Sequence, residues 1–531
     1  MKAARQIEFL AVFLWITVTL WVSRTRTLPA FDFFFKFIFK KSLTQRSQFI
    51  QILGILPFAF ILSYLIVRLL RMKKTKIPEI LCFLAVIVLL GILCAYQTIR
   101  RDDFWEIRDA FKYGFPEYIF YEYREFNGRY FSLFIKSLYQ FFPPAAFINT
   151  FLFLTILLLF AGGCFLSCRI MKKPGVFDIL NVGFLIAGGS IFISSNIWEV
   201  WFWGSGTFVY GTGIALIITA CALMLAIEQS DENLNRKTIA AAVCIFCACG
   251  TSELNTASMC IFSFLIFAIP PLFLKRRWNR RSFLLFLFSM VLAVIILTTS
   301  GDIRDAKGLT SIHGNGMEGN GNPVAVLPEK LLLSAENLIR WFFYGKGEFA
   351  LIFICTAFLA GLCTKSRQIP VKIFLISFFS LLITAVIILT INLIIDFMPS
   401  RVLAIPLTWI LLAFMLSAYF AGAHVRSFIS EKEDMYVLSS LIPLILFTLT
   451  GWFYLCSIGT IRDIHTAWIL RDRGLRSLDV HDEAAATCAI PVPGSAQADP
   501  GEDAGSDFNI VIAYYYGFTS VTADHLCSPF D

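Results

Sequence analysis

The chain has 531 residues, 57% of them hydrophobic and only 15% charged, with a formal net charge of +8. Soluble domains carry roughly a quarter charged residues, so this composition excludes a soluble enzyme and points to a polytopic integral membrane protein. The 56 Phe residues add bulky apolar surface, and the positive balance reads as anchoring to anionic lipid headgroups, with no nucleic acid as partner.

Apolar runs of about 20 residues, long enough to cross a bilayer, occur at 7–23, 49–70, 78–98, 145–169, 177–195, 207–227, 238–252, 256–274, 282–299, 345–363, 370–394, 401–424 and 436–457. They predict an all-α polytopic membrane fold of about thirteen transmembrane helices, with 238–252 the shortest span. The first run starts with Lys2 and Arg5 but is followed by Ser23-Arg24-Thr25-Arg26 instead of a small-residue cleavage site. A retained helix is therefore expected. Basic clusters at 71–76, 169–173, 275–281 and 365–372 fall on one side when spans are counted, and that side is expected to be cytoplasmic. Residues 24–48 run against this pattern: they are basic, yet the count puts them outside. The Phe31–Phe39 stretch is expected as an interfacial helix.

The opposite side gathers a different chemistry. After 78–98 come Arg101-Asp102-Asp103-Phe104-Trp105, then Glu122 and Asn127-Gly128-Arg129. After 177–195 comes Trp198-Glu199-Val200-Trp201-Phe202-Trp203, with Tyr210 close behind. Glu253 and Asn255 lie between the next pair of spans, and Arg304 and Arg401 sit at later span ends. Polar caps and interfacial aromatic belts account for some of these residues. Acidic and basic residues together at span ends favour a functional cleft at this face.

Adjacent carboxylates repel, so Asp102 and Asp103 are expected to include one perturbed or cation-paired group. Such a site deprotonates an acceptor hydroxyl or holds a divalent cation. Trp198, Trp203 and Tyr210 suit a sugar face or lipid chain. Arg304 and Arg401 suit phosphate, because a guanidinium forks onto phosphate oxygens. Glu253 at membrane depth needs a partner or a wet cavity.

This pattern resembles the GT-C superfamily of membrane glycosyltransferases over roughly residues 78–457. More narrowly, Asp102-Asp103-Phe104, Asn127-Gly128-Arg129 and the Trp-rich loop resemble a bacterial branch distantly like the Gtr-type O-antigen glucosyltransferases. The resemblance implies a polyprenyl-phosphate-linked sugar donor, a glycan or lipid acceptor, an extracytoplasmic site in the bacterial inner (plasma) membrane, and Asp102 or Asp103 as base. Glu122, Asn127, Arg129, Glu199, Glu253 and Asn255 join them as candidate binding residues. In the family the acidic loop follows the first span; here it follows the third, which leaves residues 1–77 without a family counterpart.

Residues 458–531 change character, with eleven acidic against four basic residues. They are expected to form an acidic extracytoplasmic segment, flexible over 484–507, in which Phe508–Tyr516 forms a strand or packs on the membrane domain. Most of the 14 Cys fall in apolar runs, where they read as small hydrophobes. Cys488 and Cys527 are placed to pair if the tail is extracytoplasmic. No phosphate loop, zinc spacing or Ser/His/Asp set appears, which argues against an ATP-driven pump. A flippase for lipid-linked oligosaccharide would instead place ionisable groups near the midplane, and a polysaccharide polymerase would carry a large Arg-rich outer loop.

Overall fold

The computed structural model describes residues 76–100, 102–125, 128–171, 174–229, 232–274, 277–306, 347–363, 400–428, 436–476, 484–491, 498–499 and 520–526, with isolated positions elsewhere. Helix α1 (Ile77–Ala95) has a proline in its first turn, where the missing N–H has no helical partner to lose. Three short helices follow: α2 (Asp102–Tyr113), α3 (Glu117–Glu125) and α4 (Tyr130–Ser137), the last running into a 3-10 turn at Leu138–Gln140. Hydropathy reads this stretch as loop, because the helices are too short and too polar to cross a bilayer. They are amphipathic instead: α2 buries Phe104, Ile107 and Ala110 together with Asp103 and Asp109.

Next come α5 (Pro144–Ile170), α6 (Val176–Ile193) and the one-turn α7 (Ile197–Trp201). Helix α8 (Gly204–Gln229) contains a π-helical turn at Thr207–Gly211. The series continues with α9 (Leu234–Cys249), α10 (Glu253–Leu274), α11 (Arg280–Ala306), α12 (Gly347–Cys363), α13 (Ala404–Ser427) and α14 (Tyr436–Arg476).

Among the described residues, seven helices are long and apolar enough to cross a membrane: α1, α5, α6, α8, and the greater parts of α10, α13 and α14. The short run at 238–252 becomes α9, of 16 residues, and 345–363 becomes α12, of 17. The run at 282–299 lies within α11, which is not among the seven. Runs 7–23 and 49–70, most of 370–394, and the Phe31–Phe39 stretch lie outside the described residues.

The packing follows small residues. Helices α5 and α6 lie side by side, as do α5 and α8, α12 and α13, and α1 and α14. Gly361 of α12 faces Gly422 of α13 so closely that a methyl on either would strike the other helix's backbone. Such contacts suit a lipid solvent, where helices associate by close approach and not by hydrophobic burial.

Polar contacts collect at the two ends of this bundle. At one end Lys76 pairs with Glu79 at 3.6 Å and donates to Ser439 at 3.2 Å, while Ser440 donates to Glu79. Gln229 donates to the Arg169 carbonyl, and Ser282 donates to Glu228 at 2.5 Å. The ends of α1, α6, α8, α10 and α13 bearing residues 95, 193, 204, 253 and 404 lie toward the other.

Helix α14 runs unbroken for 41 residues and passes through position 458, where the composition turns acidic. Beyond it lies a small sheet. Strand β1 (Ala484–Pro491) pairs antiparallel with β2 (Ala498–Asp499) and parallel with β3 (Ser520–Leu526). The expected all-α fold is thus predominantly helical with a small sheet in the tail. Part of the stretch expected to be flexible is strand. Cys488 lies on β1, whereas Cys527 and Phe508–Tyr516 lie outside the described residues.

Candidate functional site

The head of α2 is built by reciprocal hydrogen bonds. Asp103 N–H donates to the Arg100 carbonyl at 2.7 Å, and Arg100 N–H donates to Asp103 Oδ2 at 3.0 Å. This is the backward half of a capping box, and it fixes the entry of the chain into the helix. Arg100 is itself held by Gln97 Oε1 at 2.9 Å. Asp103 is fully buried, and its Oδ1 accepts from the Ser205 N–H at 2.9 Å. Its neighbour Asp102 is half-buried and makes no hydrogen bond or ion pair among the described residues. The expected contrast within the pair is therefore structural: Asp103 is held by hydrogen bonds, and Asp102 has none among the described residues.

Ser205 opens α8, and its hydroxyl Oγ lies 2.7 Å from Asp103 Oδ1 and 2.9 Å from Glu106 Oε2. Gly204 makes this fit possible, since a Cβ there would lie 2.8 Å from Asp103 Oδ1. On its other oxygen Glu106 pairs with Lys136 of α4 at 2.5 Å. Tyr118 and Tyr139 close the cluster, both with almost no exposure. The Tyr139 hydroxyl is buried without a hydrogen-bond partner among the described residues.

Burial dominates the electrostatics here, because a charged carboxylate loses its water. It pushes Asp103 up to about 7, helped by the Glu106 charge and opposed by the Ser205 and Arg100 hydrogen bonds. It also raises Glu106, where Lys136 works against it. Glu122 rises to about 7 for the same reason, with Lys136 again opposing.

The π turn sets the geometry of α8. A π turn leaves carbonyls without their usual α-helical partners, and two are taken up by side chains. Thr212 Oγ1 donates to the Thr207 carbonyl at 2.9 Å, and Asn255 Nδ2 donates to the Val209 carbonyl at 2.9 Å. Asn255 is fully buried in this role. Sequence alone made it a candidate ligand to substrate; its amide holds backbone instead. Glu253, at the start of α10, receives Arg129 in an ion pair at 3.0 Å, so its partner at membrane depth is found. Tyr210 is buried nearby and interacts electrostatically with Arg129.

Arg401 precedes α13 in a 3-10 turn, and its guanidinium lies over the Trp203 ring at 5.2 Å. Among the described residues it forms no ion pair; the side chains of Asp302, Asp305 and Asp396 lie outside them. Trp198, expected to offer a face to sugar, stacks on Phe453 with ring centroids 5.1 Å apart. It serves packing between α7 and α14. Glu199 is half-buried beside it, its N–H capped by Asn196. Asn127 lies outside the described residues, and Arg304 falls within α11 with a side chain that is not described.

The structure thus brings Asp103, Arg129, Trp203, Tyr210, Glu253, Asn255 and Arg401 to one end of the bundle, with Asp102 at the same helix head. It adds Glu106, Ser205, Lys136 and Tyr139, which sequence reasoning passed over. The only signal for them was weak: a Gly-Ser-Gly turn after the tryptophans, and one Lys in the apolar run Phe131–Leu138. Among the described residues no three His, Cys, Asp or Glu side chains are arranged to hold a metal ion. Both Asp103 oxygens accept from backbone amides, Oδ1 from Ser205 and Oδ2 from Arg100. No protein-family model matches this chain, and no curated protein matches it.

Proposed function

We propose that the protein is a GT-C-type membrane glycosyltransferase. It moves a sugar from a polyprenyl-phosphate carrier to a cell-surface glycan or lipid at the extracytoplasmic face, with the basic clusters cytoplasmic and about thirteen spans. One observation carries the reading. The turn Trp203–Gly204–Ser205 binds the Asp102–Asp103 helix head through Ser205 and carries Arg401 over Trp203. A carboxylate and a guanidinium, neither in an ion pair among the described residues, are thereby drawn to one short stretch of backbone.

In this reading Asp102 takes the proton of an acceptor hydroxyl, whose oxygen attacks the anomeric carbon of the donor. The bond from that carbon to the phosphate oxygen breaks, and the polyprenyl phosphate leaves with the electron pair. Arg401 offers that phosphate a planar fork of donors, and the Trp203 ring lies beneath it. Arg129 and Glu253 neutralise each other and serve as a strut for α10. A transporter would place its ionisable groups in broken helices at the midplane, whereas these join helix ends.

The test uses Asp102→Asn and Arg401→Ala, with surface glycan assayed in the cell of origin and transfer assayed with purified protein and a polyprenyl-phosphate sugar. Loss of one sugar modification with normal protein level is the expected result for both. Unchanged glycan with Asp102→Asn would sink the proposal.

A further inference from the structure

Ser205 Oγ lies within hydrogen-bond distance of two carboxyl groups, 2.7 Å from Asp103 Oδ1 and 2.9 Å from Glu106 Oε2. A serine hydroxyl has one proton and donates once. With both acids ionised, one of these contacts would set an oxygen lone pair against a carboxylate oxygen in a buried site, where repulsion is weakly screened. The arrangement is satisfied only when one carboxyl carries a proton and donates it to Ser205.

The surroundings say which. Glu106 has Lys136 Nζ at 2.5 Å on its other oxygen, which holds it as a carboxylate. Asp103 has no cation in hydrogen-bond contact. Its remaining donors are the Ser205 and Arg100 amides, which favour the carboxylate but which a neutral acid still accepts, more weakly, on its two oxygens. The charged and titratable groups around it are Glu106 on its own helix, Asp102 beside it in the chain and Tyr139 of the 3-10 turn; Tyr118 and Glu122 of α3 and Lys136 of α4 act on Glu106, and Arg471 of α14 lies over the adjoining Phe104 ring at 5.9 Å.

We infer that Asp103, Ser205 and Glu106 form a positioning unit that holds one shared proton, with neutral Asp103 donating to Ser205 and Ser205 donating to the Glu106 carboxylate. The proton leaves to solvent when the pH rises past the Asp103 titration, and two anionic carboxylates then press on one hydroxyl. For the transferase reading, on which this last consequence rests, the neutral Asp103 leaves Asp102 as the single charged carboxylate of the pair. The helix head is held without a second negative charge beside the base.

The sign of the pH effect follows. Burial pushes Asp103 from the usual carboxylate range up to about 7. Its contribution to stability is full at pH values below the unfolded carboxylate's titration, and is lost as pH climbs toward and past 7.

Infrared difference spectroscopy on the purified full chain in lipid nanodiscs tests this without reference to transfer activity. A carbonyl stretch of a protonated carboxylic acid should persist to near neutral pH, shift on carbon-13 labelling of aspartate, and vanish in Asp103→Asn. Glu106→Gln removes the anion that receives the Ser205 proton, so the midpoint of that band should fall by at least about one pH unit. The isotope shift keeps the assignment secure if Asp103→Asn folds poorly. Absence of a protonated band at pH 6 would overturn the proposal. So would a band that shifts only with labelled glutamate, or a midpoint that Glu106→Gln leaves in place. Loss of transfer in Asp102→Asn is a separate result and decides the functional reading alone.

Discussion

The two ends of the helical bundle use the same residue types for different ends. At the Lys76 end Glu79 has the Lys76 cation and the Ser440 hydroxyl, and Glu228 has Ser282. These contacts tie α1 to α14 and α8 to α11, and they are closed pairs. At the Asp103 end carboxyl groups crowd together. Glu106 and Glu122 both meet the Lys136 charge, one hydroxyl bridges two carboxyls, and Asp102 makes no ion pair among the described residues. Crowding of carboxyls, and not polarity as such, separates the ends.

Three substitutions sharpen that comparison. Arg129→Ala should have the largest effect on stability, because it leaves Glu253 buried without its cation. Breaking a buried pair costs about 3–5 kcal/mol; with the Arg129 side chain 21% exposed, about 2–3 kcal/mol is expected from that scale. Thermal unfolding in nanodiscs reads it, and Arg129→Lys should recover part of the loss. Gly204→Ala should come next. Its methyl would press on Asp103 Oδ1, with an overpacking cost of about 1–3 kcal/mol, and it should lower transfer along with stability because it spreads α2 from α8. Glu79→Gln should do least. The amide keeps a hydrogen bond to Ser440, so a change of about 1 kcal/mol or less is expected, with transfer at the unsubstituted level. A large loss of transfer in Glu79→Gln with stability intact would erase the distinction between the ends.

The sequence made some of this legible and hid the rest for physical reasons. Spans show in hydropathy because a bilayer imposes length and polarity together, and α1, α5, α6 and α13 fall close to the runs that predicted them. Asp103 shows because paired acids at a span end are conspicuous. Ser205 does not, since a serine between two glycines has no periodicity and its partner is 102 residues away. Lys136 reads as an ordinary interfacial lysine until Glu106 is seen beside it. The far half of α14 was hidden by composition. The chain turns polar there, yet Ile461, Ile464, Ala467, Arg471 and Leu475 are buried at helical spacing.

That helix has a mechanical consequence. At about 1.5 Å per residue, the 41 residues of α14 make a rod of roughly 60 Å, about twice the hydrocarbon thickness it would cross. Near its start it carries Ser440, which bonds Glu79, and Pro443, which weakens the helix at that point. Near its finish it carries Arg471, over the Phe104 ring beside the Asp102–Asp103 head. One stiff lever therefore has its pivot at the stapled end and its tip beside the Asp102–Asp103 head, so a few degrees of tilt at Pro443 become several ångströms of travel at Phe104.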